Sequence, residues 1–224
     1  MDDGSIEGLI ARYNHERRPE SRHRSFDYCF NYFRTQSENG NRPEQLVTEG
    51  RLQLSCLQLG FYLASWGMFR GRSALLAHSV KGLEPAIRAV ADAPKEIWDL
   101  DLDGYDDDGI ALILEVRDAL RRELPGQSST DTLVSKTMLG VFGCVPAFDR
   151  FFRVGSARHG LRAQYLDPRS LQTIGSFYAD HRAVIEKHRE PTLDVATGEA
   201  SEHRYTRAKV VDMIFFSAGY GPAA

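Results

Sequence analysis

Apolar residues recur at steps of three and four along most of this chain, and no stretch longer than about four residues alternates apolar with polar as a half-buried strand would. The clearest run lies between Asp167 and Arg189. There Leu171, Ile174, Tyr178, His181 and Ile185 follow one another at steps of three, four, three and four, which places them on one stripe of a helix. Asp167-Pro168 predicts its capped start, with proline in the first turn. Ala208, Val211 and Phe215, with Ile214 beside them, repeat the pattern in a last helix that begins near Tyr205 or Thr206.

Further helices are expected over 5–15, 25–37, 51–66, 73–78, 83–91, 108–123, 130–142 and 149–154. Turn residues separate them: Asn39-Gly40-Asn41-Arg42-Pro43, Gly71, Gly82, Asp92 through Pro94, Pro125-Gly126, and Gly143 through Pro146. The polar segment 191–203, with Thr197-Gly198, reads as an exposed loop or a short hairpin. No repeat, low-complexity tract or step in composition marks a second domain. The expected fold is all-α, one globular domain of about ten helices over residues 1–224.

Hydrophobic residues make up 42% of the 224 positions and charged residues 26%, which supports a packed core and argues against disorder. A formal charge of −3 gives no global attraction to nucleic acid or to an anionic membrane, so any such binding must come from a local patch. Cys29, Cys56 and Cys144 are odd in number, far apart and set among apolar residues, the pattern of buried free thiols rather than of disulfides or a metal site. The first residues carry acidic and then basic groups with no apolar core of signal-peptide length. Residues 52–69 are too mixed and too short for a membrane span. Cytoplasm is the default compartment, with no membrane partner.

Three segments invite a chemical reading. In the acidic run 98–109, Asp99, Asp101, Asp103 and Gly104 fit the opening of a calcium loop, but Asp106 replaces an apolar position and Ile110 stands where a bidentate glutamate must close the shell. A solvated loop with an N-capping aspartate is the better reading. Of the seven histidines, His181 and His188 lie two turns apart with no third ligand at helical spacing, so a hydrogen-bonded, part-buried His181 is favoured and no metal or cofactor is indicated. No serine-hydrolase elbow, Walker loop or dinucleotide fingerprint is present. In 64–76, Gly67 and Gly71 permit a tight turn and Ser73 is placed to cap a following helix. Free amides there, beside Arg70 and Arg72, would make an anion site, with Trp66 or Phe69 stacking on a base. The plainer reading is a helix corner with aromatics in the core and arginines in solvent.

The third segment, 130–152, is an apolar helix with a single lysine, Lys136, that ends at Gly143, turns through Pro146 and meets Asp149 at the head of a short basic-aromatic helix. Lys136-Thr137 and Pro146-Ala147-Phe148-Asp149 resemble the core of the helix-hairpin-helix DNA glycosylases, an all-α family. That resemblance implies that Asp149 stabilises the sugar cation as a base departs, and that Lys136 is the candidate Schiff-base nucleophile. Leu124-Pro125-Gly126, extended by Gln127 to Thr130, stands where the family's glycine-rich hairpin would lie. The chain also resembles uncharacterised bacterial all-helical proteins through the patterns of 63–76 and 136–152.

Two functions follow as expectations. In the first, the protein binds DNA and excises a damaged or modified base, with Asp149 and Lys136 catalytic. Arg70, Arg72, Arg150, Arg153 and Arg158 then hold phosphates, and Trp66 or an aromatic from 26–33 stacks on the flipped base. In the second, it is a non-enzymatic helical module for a partner protein or nucleic acid. There Asp149 merely caps its helix and Lys136 snorkels or pairs with an acid.

Overall fold

The structure is a computed structural model that describes residues 1–38, 42–71, 73–126 and 130–220. The turn expected at Asn39-Gly40-Asn41, Arg72, and the loop extension Gln127 to Ser129 lie outside the described residues.

Among the described residues ten α-helices carry the fold: α1 Asp3–His15, α2 Ser25–Thr35, α3 Leu52–Ser65, α4 Glu84–Ala91, α5 Asp107–Glu123, α6 Asp131–Val141, α7 Arg150–Arg158, α8 Pro168–Asp180, α9 Arg182–Lys187 and α10 Arg207–Tyr220. A two-stranded antiparallel hairpin, β1 Pro191–Leu193 with β2 Ala200–Arg204, fills the polar segment before α10. Among the described residues, no helix is long and apolar enough to cross a membrane.

Most helices bury one stripe and show the rest to water, but α6 and α10 are enclosed. Every residue from Leu133 to Val141 in α6, and from Ala208 to Ala218 in α10, is buried. A helix apolar on all sides belongs in the middle of a domain, and the others pack around these two. Cys29, Cys56 and Cys144 are buried free thiols within that core, and burial pushes the thiols up.

Helix α7 lies against α10 at backbone distance. A methyl group on Gly155 would fall on the Phe215 carbonyl oxygen, and one on Gly219 would fall on that of Phe151. Only hydrogen at these two positions permits the crossing. The ends of α10 are held from outside. Asp101 accepts from the amides of Arg207 at 2.7 Å and Ala208 at 2.9 Å. At the other end Arg12 donates to Ser217 O at 3.3 Å and Arg158 to Ala218 O at 2.7 Å. Carboxylate at the amide end and guanidinium at the carbonyl end both oppose the helix dipole.

Three expectations are corrected. The helix predicted through Arg189 breaks at His181, which faces Asp3 Oδ1 at 3.0 Å and packs on Phe177, so α8 and α9 are separate; His181 is hydrogen-bonded as expected. After Ser73 only a four-residue 3-10 turn forms, Ala74–Ala77, too short to present a helix N-terminus to an anion. The acidic run is only partly solvated. Asp106 caps α5 through Gly109 N at 2.9 Å, but Asp101 is buried, and burial raises its carboxyl above the ordinary range while the α10 amides oppose the rise.

Candidate functional site

Helix α3 ends at Ser65 with Trp66 as its C-cap, because Gly67 follows at φ +75°, a conformation that suits glycine, and the Met68 and Gly67 amides close back on Leu63 O at 2.8 Å and Ala64 O at 2.9 Å. The Arg70 side chain folds over Gly67, with Nε 2.6 Å from where a Cβ would sit. Trp66 is thereby presented, half-buried, toward α6 and α10.

Lys136 reaches this corner from α6. Its Nζ lies 3.0 Å from Asp149 Oδ2, 3.4 Å from Trp66 O and 5.3 Å from the Trp66 ring centroid. Asp149 is the N-cap of α7, and its Oδ1 accepts from the amides of Phe151 at 2.9 Å and Phe152 at 3.0 Å. The helix and turn between lysine and aspartate thus bring the two together, and Asp149 is the counter-charge. The pair is enclosed: Lys136 is 4% exposed and Asp149 8%.

A second lysine–aspartate pair sits beside the first. Lys209 Nζ lies 2.8 Å from Asp212 Oδ2 and 3.1 Å from the Tyr13 hydroxyl, with the rings of Phe26, Tyr13 and Trp66 at 4.8, 5.0 and 5.7 Å. Burial opposes its charge, but Asp212 and Tyr13 outweigh that and hold Lys209 above the ordinary lysine value. Sequence reasoning missed this pair. Its signal was a lysine and an aspartate three positions apart inside an otherwise apolar helix, where neither is tolerated alone.

The second pair also serves the buried turn between α6 and α7. A buried turn must find partners for its own amides and carbonyls. Asp212 Oδ1 accepts from Ala147 N at 3.1 Å, and Ser135 Oγ from Phe148 N at 2.8 Å. Thr132 donates to Phe148 O at 2.9 Å, and Tyr105 donates to Cys144 O at 2.7 Å.

Toward solvent the corner opens onto rings and one arginine. On α10, Lys209, Asp212, Phe216 and Tyr220 form one stripe, steps of three, four and four. Phe216 and Tyr220 stack at 5.4 Å, and Phe151 meets Tyr220 edge-on at 5.0 Å. The exposed Arg22 lies over both Trp66, at 5.4 Å, and Tyr220, at 5.8 Å, and Tyr220 is 56% exposed. His23 stands behind, edge-on to Tyr13 at 4.8 Å and Trp66 at 5.4 Å. Burial, with Lys209, Arg22 and Arg17 near, lowers its pKa to about 4, so it is neutral at pH 7. The Trp66 indole N–H is buried and without a hydrogen-bond partner among the described residues.

The arginines expected to hold phosphates differ in setting. Arg70 and Arg150 are exposed, Arg153 lies 5.9 Å over the Tyr165 ring, and Arg158 is engaged on the end of α10. Phe26, Phe30 and Phe33 are buried and out of reach of a flipped base. Arg22 has no place in the sequence reading, because only the fold brings it over Trp66.

Comparison with protein-family models, with curated proteins and with solved structures finds no match, so the site is read from its own geometry.

Proposed function

We propose that this chain is a helical module that binds DNA at unpaired bases, and that it acts by binding rather than by chemistry at Asp149. The observation that carries this reading is the Arg22 guanidinium laid across Trp66 and the exposed Tyr220. A base that enters between Arg22 and Tyr220 gains ring contact below and a cation above, the pairing that single-strand binders use without reading sequence. Exposed Arg70 and Arg150 are free to take phosphates. The two buried ion pairs hold the platform rigid. Asp149 has both oxygens engaged, on two amides and on Lys136, and little surface to offer a sugar.

The test is anisotropy of a labelled single-stranded oligonucleotide against the full chain at low salt. Saturable binding is expected, weakened about tenfold by Tyr220→Ala or Arg22→Ala, since one lost stack is worth about 1–3 kcal/mol. Affinity should fall with salt, because the counterions that binding releases gain less entropy in saltier solution. Binding that ignores both substitutions removes this surface from the account.

One observation favours the base-excision reading instead. Lys136 and Asp149, the two residues the glycosylase resemblance selects, meet at 3.0 Å beside an aromatic. In that reading Lys136 leaves Asp149 when a flipped base enters, and the freed carboxylate stabilises the sugar cation. Base release from a panel of modified duplexes, abolished by Asp149→Asn in a folded protein, supports it; a wild-type chain that releases nothing ends it.

A further inference from the structure

On the hairpin side of the molecule, away from the Trp66 corner, a cavity of about 560 Å³ is walled by the C-terminal part of α2, the residues around Trp98 and the strand β2. Glu38, Glu202 and His203 line it, and one donor atom from each lies within 4.8 Å of the others.

Neighbouring residues of a strand ordinarily point to opposite faces, which would part Glu202 from His203. Here the register shifts. Pro191 pairs with Arg204 and Leu193 with Ala200, so three residues of β2 stand opposite one of β1. Such a bulge re-aims side chains. It leaves Glu202 exposed, with no hydrogen bond or ion pair among the described residues, and turns His203 inward to 8% exposure.

The spacing of Glu38 and His203 is that of ligands rather than of a hydrogen-bonded pair. Glu38 gives Oε1 to Arg34 Nε at 2.5 Å, which leaves Oε2 toward His203 Nδ1 at 3.4 Å. That separation is long for a charge-assisted hydrogen bond. Two donors each about 2.1 Å from a tetrahedral ion stand about 3.4 Å apart, the edge of the tetrahedron. His203, buried at 8% exposure, has its Nε2 3.4 Å from the Thr35 hydroxyl, which leaves Nδ1 directed at a carboxylate oxygen from a spacing that fits an ion between them.

We propose that Glu38, Glu202 and His203 bind one first-row divalent cation, zinc by preference, with a fourth position open to the cavity. One imidazole and two carboxylates suit zinc in size and donor type, and three protein ligands leave the coordination incomplete, as in zinc sites that take water or substrate. Arg34, Arg189, Arg204 and Arg207 line the same cavity, so the two carboxylates are needed to make the position attractive to a cation. Arg34 and Arg207 are already matched by Asp99 and by Asp101 with Asp103.

The experiment is calorimetric titration of zinc into the chelator-treated full chain, with cobalt(II) absorption as the reporter of coordination. One zinc per chain is expected, with an intense tetrahedral cobalt spectrum. Glu202→Gln and His203→Gln should each weaken zinc at least about tenfold. Glu202 is exposed, so its variant keeps the fold and decides the matter if His203→Gln unfolds. The three thiols are buried and do not compete. No saturable zinc at one per chain, unchanged affinity in Glu202→Gln, or an octahedral cobalt spectrum overturns the proposal.

Discussion

A lysine inside an enclosed helix must bring its counter-charge with it, and Lys136 and Asp149 are the case to measure. Removing one partner leaves the other buried and uncompensated, which typically costs about 3–5 kcal/mol. Lys136→Met is expected to lose stability of that order in urea. Asp149→Ser retains a capping oxygen for α7, so Lys136→Met with Asp149→Ser should lose far less than the two single losses summed. Additive losses would mean that the 3.0 Å contact carries no coupling. His23 gives a pH test. Its folded pKa of about 4 lies below the ordinary 6.5, so its share of stability is complete above pH 6.5 and drains away as pH falls through 4. A shift of that size is of order 3 kcal/mol. Wild-type protein should therefore lose more stability between pH 7 and pH 4 than His23→Gln does, and equal losses would contradict the buried neutral imidazole.

At the scale of elements, the crossing of α7 and α10 is the tightest constraint. Gly155→Ala should force the two backbones apart, at a cost of about 3 kcal/mol or more, or prevent folding. Gly8→Ala, where nothing lies within 4 Å of the new methyl in α1, should instead stabilise by up to about 1 kcal/mol. Thermal melts of the pair separate close packing from helix propensity. Helices with local signals were legible in the sequence. Asp167-Pro168 opens α8 with a 2.8 Å cap on Ser170, and Thr206 opens α10 with a 3.1 Å cap on Lys209. What failed depended on distant partners. His181 breaks a periodic stripe because Asp3, from the other end of the chain, meets it there. Asp101 is buried because α10 starts against it, which no acidic run reveals. The β2 bulge follows from pairing with β1, beyond any local pattern.

At the scale of the molecule, the all-α architecture was legible because the spacing of three and four runs through it, whereas the site was legible only in part. Lys136, Asp149 and Trp66 stand out in sequence by type and setting, and they do share a corner. Arg22, Tyr220 and the Lys209–Asp212 pair join them through long-range packing alone. With a net charge of −3, the proposed binding to DNA has to be a property of that one face. The chain has two tryptophans, and Trp98 is 4% exposed, so Trp66 is the natural reporter. The decisive measurement is tryptophan emission of the Trp98→Phe variant during titration with a single-stranded oligonucleotide. Saturable quenching of Trp66 that Tyr220→Ala diminishes and salt reverses is expected; emission that stays unchanged at saturating oligonucleotide would contradict binding at this face.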